Sequence, residues 1–338
     1  KTVAFVTKLS DDVLTETKEH NMSHNLEIVN GQAQMAYVGE TPWHGLGTLV
    51  DSDISVDGMV KAAGLDWTVT KAPTYYRVGD KEIDTGKYAL IRETDNKFLS
   101  NVSKSWEPCQ NADAFSIFEE FVERNELEMN TAGSLKGGQI VWGLAKMKDS
   151  FALFDDDLTE QYLLLVNPHV FGQGIHVRST PIRVVCNNTL SLSLGQASNV
   201  QATQNHRTAF DAEMMKEAIG IARKKLSTYR EMAEFIASKK YNDESLKNFM
   251  MQVFPTYSKK EEEKVSRNAL RAMEVVETQP GAEFGKGTFW QAFNAVTYLC
   301  DHELGRNQDT RLQSAWFGIN KDRKNQALEK AVEFAEAA

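Results

Sequence analysis

The chain has 338 residues, 41% of them hydrophobic and 25% charged, with 47 Asp and Glu against 38 Lys and Arg for a net charge of −9. No apolar run approaches the roughly 20 residues that span a bilayer, and the acidic balance excludes nonspecific coating of duplex DNA through bulk charge while leaving room for a local basic groove. Three distant cysteines, Cys109, Cys186 and Cys300, lack metal-ligand spacing and read as reduced intracellular thiols.

Residues 1–21 read as an extension or flexible arm. The loop Gly39–Gly47 is rich in turn formers, with Pro42 fixing φ and the glycines permitting close backbone approach. Ser55–Ala63 reads as a short helix with Ser55 as N-cap and Gly64 as its stop. Alternating segments at Trp67–Thr70, Tyr75–Val78, Tyr88–Ile91 and Phe98–Val102 predict an antiparallel meander. Asn111–Asn125 is an amphipathic helix carrying Ala114, Phe115, Phe118, Phe121 and Val122 on one stripe, with Asn111 or Asp113 near its N-cap. Strands resume at Met129–Leu135 and Gln139–Lys146 around the hairpin signal Lys136-Gly-Gly138, followed by Glu160–Asn167 and His176–Val185. Asn187–Leu194 suggests a helix, and 196–208 a linker or mobile loop. From Phe210 the period is helical: Met214–Ala237, Asp243–Val253, Lys259–Glu277, Thr288–Glu303 and Lys321–Ala337. The expected architecture is α+β: an antiparallel sheet with packed helices in the N-terminal part (22–195) and an all-α C-terminal part (209–338).

From Gln161 to Phe210, 50 consecutive residues contain no carboxylate, where the average acid frequency gives about seven. They hold Arg178, Arg183 and Arg207 with His169, His176 and His206 among neutral hydrogen-bonding side chains. That mix suits a polyanion; a pair of buried strands would exclude acids equally well. The acids of the first half all lie before Gln161, while residues 209–338 balance 20 basic against 20 acidic groups, which predicts opposed surfaces.

Other candidates each carry a plainer alternative. Trp43 and His44 in the glycine-rich loop offer a stacking platform or a loop anchor. Gly285-Lys-Gly-Thr288 precedes a helix and could hold a phosphate, though Thr288 as an ordinary N-cap explains it as well. Asn294, Thr297 and Asp301, spaced i, i+3 and i+7, share a helix face beside His302; they suit a polar pocket or helix–helix hydrogen bonding. Asp155-Asp-Asp157 lacks the alternation and glycine of a calcium loop and reads as a solvated turn. No zinc spacing occurs, so neither metal nor cofactor is expected.

The blocks Met35-Ala-Tyr-Val-Gly-Glu-Thr-Pro-Trp-His-Gly-Leu-Gly-Thr48, Arg183-Val-Val-Cys-Asn-Asn-Thr-Leu190, His206-Arg-Thr208, Gly287-Thr-Phe-Trp-Gln-Ala-Phe-Asn-Ala-Val-Thr297 with Asp301-His302, and Arg311-Leu-Gln-Ser-Ala-Trp-Phe-Gly318 occur in that order. They resemble the phage/plasmid-like family known as domain of unknown function 932, from about Met22 onward. The resemblance implies carriage on phages or mobile elements, hence the cytoplasm of a bacterial host, and no particular reaction. A looser architectural likeness to phage single-strand annealing recombinases is analogy alone.

The first expectation is therefore a non-enzymatic, homo-oligomeric protein that binds single-stranded DNA in replication or recombination. Arg178, Arg183, Lys136, Lys146 and Lys148 would track phosphates, Trp43 or Trp142 would stack bases, and His206 with Arg207 would close the groove. Trp142 fits a strand core equally well. The alternatives are an interaction or inhibitor protein that binds a host factor through its acidic half, and an enzyme whose pocket joins His44 to Asn294, Thr297, Asp301 and His302.

Overall fold

The computed structural model describes residues 26–39, 46–183, 188–189, 202–256, 264–306, 311, 314–315 and 318–338, with the backbone alone at 183, 188–189, 202, 218–223 and 225. The expected extension 1–21 lies outside them. The fold is α+β. A large sheet has the order β12 (Asn188–Thr189), β11 (Ile175–Arg183), β10 (Asp157–Pro168), β9 (Ile140–Leu153), β8 (Leu127–Leu135), β3 (Met35–Val38), β4 (Thr48–Val50). All its neighbours are antiparallel except β3 and β4. Strands β1 (Ile28–Val29) and β2 (Gln32–Ala33) form a separate small pair.

The meander is a second, three-stranded sheet of β5 (Val69–Val78), β6 (Lys81–Arg92) and β7 (Lys97–Val102). The segments expected at Trp67–Thr70 and Tyr75–Val78 merge into one strand that runs through Pro73 with a bulge between Pro73 and Tyr75. Proline is tolerated because β5 is a sheet edge, where a missing N–H breaks no ladder.

Helix α1 (Val56–Ala62) starts as expected, with the Ser55 hydroxyl accepting from the Gly58 N–H at 3.0 Å. The helix expected over 111–125 is instead broken into α2 (Asn111–Phe115), a 3₁₀ turn at Ser116–Phe118 and α3 (Glu119–Glu123). Asn111 does not cap it; its side-chain amide donates to the Leu65 carbonyl at 2.9 Å. The predicted stripe still works, since Ala114, Phe115 and Phe118 are buried.

The large sheet is covered on both faces. Val141, Ala145 and Met147 of β9 join one apolar cluster with α1, the second sheet and Phe115. Ile140, Trp142 and Leu144 join another with Met35, Tyr37, Tyr162 and Leu164. Gly143 fits this arrangement because a Cβ there would stand 2.5 Å from the Phe115 ring.

The residues expected to form a linker include β13 (Ala202–Gln204), which pairs antiparallel with β11. Of the helix expected at Asn187–Leu194, the described residues Asn188 and Thr189 are strand instead, added to the same edge of β11; the rest lies outside the described residues.

The helical part comprises α4 (Ala212–Ser238), α5 (Asp243–Val253), α6 (Arg267–Val275), α7 (Phe289–Tyr298) and α8 (Ile319–Glu336). Asp211, Asn242 and Ser266 cap α4, α5 and α6 with their side chains, and α7 runs on into a π-helical turn at Leu299–Glu303. Its core is built on Phe249, Phe289, Trp290 and Phe293, and it takes in Phe151 and Leu153 from the far end of β9. Asp157, expected in a solvated turn, is fully buried there. Its carboxylate accepts from the Trp290 indole N–H at 2.7 Å.

Candidate functional site

The strand residues expected to track phosphates do not form one groove. Trp142 is only 2% exposed and lies within the sheet's second apolar cluster. It cannot offer a face to a base, because both sides of this sheet are covered and strand alternation no longer separates core from solvent. Lys146 shares its face, but its ammonium is 2.5 Å from the Glu160 carboxylate. Arg178 faces the same side, two strands away through Leu164 and Leu144. It is half-buried; burial lowers its pKa, and the Asp322 carboxylate of α8 acts the other way. Lys136 and Lys148 are exposed, but Lys136 sits in the turn before β9 and Lys148 well along that strand, roughly 25 Å apart. The Arg183 side chain, Trp43 and His44 lie outside the described residues. Within 161–182 the acid-free stretch is chiefly sheet core, which accounts for its lack of carboxylates.

Its histidines are no cations at neutral pH. Burial pushes His169 down to about 3, with His206 adding to the effect. Burial and then the Arg178 charge push His176 to about 3, and burial holds His206 at about 4. His169 donates from Nε2 to the Asn111 side-chain carbonyl at 3.0 Å, which also accepts from the Asn167 amide at 3.2 Å. The His206 ring stacks on Trp106, centroids 4.0 Å apart, and donates from Nδ1 to the Glu107 carbonyl at 3.1 Å. These are struts between α2, the segment before it and the ends of β10 and β13. Of the expected closing pair, Arg207 alone is exposed.

The polar face of α7 is buried, with two bonds that close within the helix itself and an ion pair just beyond its end that reaches α8. Asn294 donates to the Trp290 carbonyl at 2.8 Å, and the Thr297 hydroxyl to the Asn294 carbonyl at 3.0 Å. Asp301 meets the fully buried Lys324 of α8 at 2.6 Å, while the His302 ring lies 5.0 Å from Tyr298. The loop before α7 is closed on itself: Gly287 N–H donates to Gln291 at 2.9 Å and the Thr288 hydroxyl to the Gly285 carbonyl at 2.5 Å. Thr288 thus occupies the N-cap position without a side-chain capping bond.

Two features were not singled out by the sequence. One is a cavity of about 340 Å³ beside the start of α6, where Lys264, Arg267 and Arg323 line the wall with Phe254; the Arg323 guanidinium lies over the Phe254 ring at 5.2 Å. These cations are scattered over 60 residues, so no sequence run announces them.

The other is the outer half of the β5–β6 hairpin. Every residue from Tyr75 to Lys87 is exposed, so this arm projects from the body by roughly 15–20 Å. Gly79, at φ 58°, makes its two-residue turn with Asp80, the glycine-first geometry that matches strand twist. The Thr85 hydroxyl donates to the Thr74 carbonyl at 2.9 Å at the base. The register pairs Tyr76 with Ile83 and Val78 with Lys81, and on the opposite face Arg77 with Glu82 and Tyr75 with Asp84. One face is thus apolar, with Tyr76 51%, Val78 59% and Ile83 38% exposed. The other carries the Arg77–Glu82 ion pair at 2.6 Å. An apolar face on a two-stranded ribbon gains nothing from its own fold, since the ribbon has no core behind it.

Among the described residues no cluster of His, Cys, Asp and Glu could hold a metal, and no helix is long and apolar enough to cross a membrane. The Cys109 and Cys300 thiols are both pushed up to about 12 by burial. The model of one family, described as domain of unknown function 932, matches residues 98–316. No curated protein matches the chain, and no solved structure does.

Proposed function

The chain belongs to the domain of unknown function 932 family, and on that premise we propose that it is a non-enzymatic protein that works by binding another protein chain through its projecting hairpin arm. The supporting observation is the apolar face of Tyr76, Val78 and Ile83, exposed on a paired two-stranded ribbon. Exposed apolar patches on ordered structure mark contact surfaces, and tyrosines supply large contact area at small entropic cost. The arm's charged groups, Arg77, Lys81 and Lys87 against Asp80, Glu82 and Asp84, cancel. That balance favours a protein partner over a polyanion. The test is capture by the purified full-length chain, compared with Tyr76→Glu. A protein retained in stoichiometric amount and lost on substitution, at an unchanged melting temperature, supports this reading. Equal retention by both proteins removes it.

A second reading keeps single-stranded DNA, with a role in replication or recombination of a phage or mobile element, but moves its contact to the helical part. It rests on Lys264, Arg267 and Arg323 converging on one cavity, with no acid among the described residues that line it. Anisotropy titration with single-stranded and duplex DNA at two salt concentrations tests it. Arg267→Ala with Arg323→Ala should weaken binding and flatten its salt dependence; unchanged binding rejects that contact.

A further inference from the structure

We infer that the partner of the hairpin arm is a second copy of this chain, joined edge to edge through residues Thr74–Val78 of β5 about a twofold axis at Tyr76. This inference rests on the reading of the arm as a protein-binding element. Strand β5 lies at the edge of its sheet, and β6 is its hydrogen-bonded neighbour. In a two-residue hairpin the closing pair exchanges backbone hydrogen bonds, and the bonding pairs alternate from there. Val78–Lys81 and Tyr76–Ile83 are then the inward-bonding pairs, and the N–H and C=O groups of Tyr75 and Arg77 point out from the open edge.

A twofold axis at Tyr76 uses that edge without a register conflict. Antiparallel pairing sets Tyr75 opposite Arg77 of the second copy, and these are the residues with free outward groups. Tyr76 meets Tyr76 of the second copy in the closer, non-hydrogen-bonded position. The two arms become one four-stranded sheet whose side chains complement one another on both faces. On the apolar face, Ile83, Tyr76, and the second copy's Tyr76 and Ile83 form one continuous cross-strand row. On the polar face, each row reads Asp84, Tyr75, then the second copy's Arg77 and Glu82. Each guanidinium keeps the Glu82 partner it has now and gains an aromatic neighbour. A shift of the axis by one residue along the strand breaks both rows.

The same edge explains why pairing would stop at two copies. Pro73 carries no N–H and closes the shared segment at one end, and the turn at Gly79 and Asp80 closes the other. The outer edge of β6 bears Lys81, Glu82, Asp84 and Lys87 and bends at Gly86, φ 67°; charges and a bend there discourage further strand addition. Arms that carry no net charge also let two copies of a −9 chain approach at this one place.

Sedimentation equilibrium on the full-length protein tests the inference. The wild type should form a dimer in a concentration-dependent manner. Tyr76→Glu, which places two carboxylates in the closest cross-strand position, should weaken it by more than about tenfold. So should Tyr75→Pro, which removes an outward N–H without touching the arm's internal bonds. Tyr76→Cys should cross-link with its own copy under mild oxidation into a dimer that dithiothreitol reverses, and Lys87→Cys should not. A dimer that survives both Tyr76→Glu and Tyr75→Pro overturns the inference, as does a wild type that stays monomeric at every concentration. If that monomer still captures a different protein in a Tyr76-dependent way, the protein-binding reading stands and self-pairing alone falls. If it captures nothing, both fall.

Discussion

Trp290 of α7 donates its indole N–H to the Asp157 carboxylate at the start of β10 across 2.7 Å, and both residues are fully buried. The contact joins residues 133 positions apart and pins the far end of the β9–β10 hairpin, with Phe151 and Leu153, into the helical core. Trp290→Phe keeps most of the packing and removes the indole donor from a buried carboxylate. It should cost about 2–4 kcal/mol, read from urea unfolding monitored by far-ultraviolet circular dichroism. A change below about 0.5 kcal/mol would show that the contact does not hold the two parts together.

The second buried junction is Glu27 with Arg92, a bidentate pair at 2.8 Å and 2.8 Å that also draws in Lys97 and Ser134. Burial alone would raise the Glu27 pKa, but the hydrogen bonds from Arg92 and Lys97 outweigh it and hold the carboxyl below its usual range. The Arg92 guanidinium also lies over Trp67 at 5.2 Å, and the Ser134 hydroxyl of β8, donating to Glu27 at 2.9 Å, ties this junction to the first sheet. Arg92→Ala takes the bidentate partner from the buried Glu27 carboxylate, leaving it Lys97 and Ser134, and should destabilise by about 2–4 kcal/mol. Arg92→Ala with Glu27→Ala should recover part of that loss, and denaturant midpoints for the three variants give the coupling.

Gly143→Ala should be far more costly than an ordinary strand substitution. The added methyl would meet the Phe115 ring at 2.5 Å, and neighbouring strands leave β9 no room to retreat. A loss of about 1–3 kcal/mol is expected, the usual range for overpacking. Combining it with Phe115→Leu should return part of the stability, and thermal unfolding of the pair checks this.

Stability should fall as pH drops below about 6.5, before the carboxylates titrate. His169, His176 and His206 have folded pKa values depressed to about 3, about 3 and about 4. The unfolded chain therefore binds protons that the folded chain refuses. Their contribution is complete above the unfolded value and is lost as pH falls through it, on the order of 1 kcal/mol per pH unit for each histidine. Melting temperature measured from pH 7 to pH 5 should decline, and less steeply in His206→Gln. A flat profile in the wild type would contradict the burial of these rings.

The helical stretches Met214–Ala237 and Asp243–Val253 needed nothing beyond their own period and end signals, so α4 and α5 appear within a few residues of expectation. The Ser55 cap, the Lys136-Gly-Gly138 turn and the antiparallel meander were equally local. The helix expected at 111–125 was not, because its first residue, Asn111, spends its amide on Leu65 and its carbonyl on Asn167 and His169. No local rule can see those partners. The same holds for residues 202–204, whose strand exists only because β11 supplies an edge.

Periodicity, capping and turn chemistry, read within about fifteen residues at a time, determined the class of the fold, while the ordered motif blocks carried the resemblance to the family. Composition alone could not tell an acid-free surface from an acid-free core, since both reject a carboxylate for different reasons. The pairing of β8, β9, β10 and β11, with apolar clusters on both faces, decided for the core. It buried Trp142 and neutralised the histidines. Conversely, Tyr75-Tyr-Arg-Val78 reads as one more half-buried strand, and only the fold leaves Tyr76, Val78 and Ile83 exposed, with no layer of the described residues against them. Burial is a property of what lies across the space from a residue, and that is set by tertiary packing.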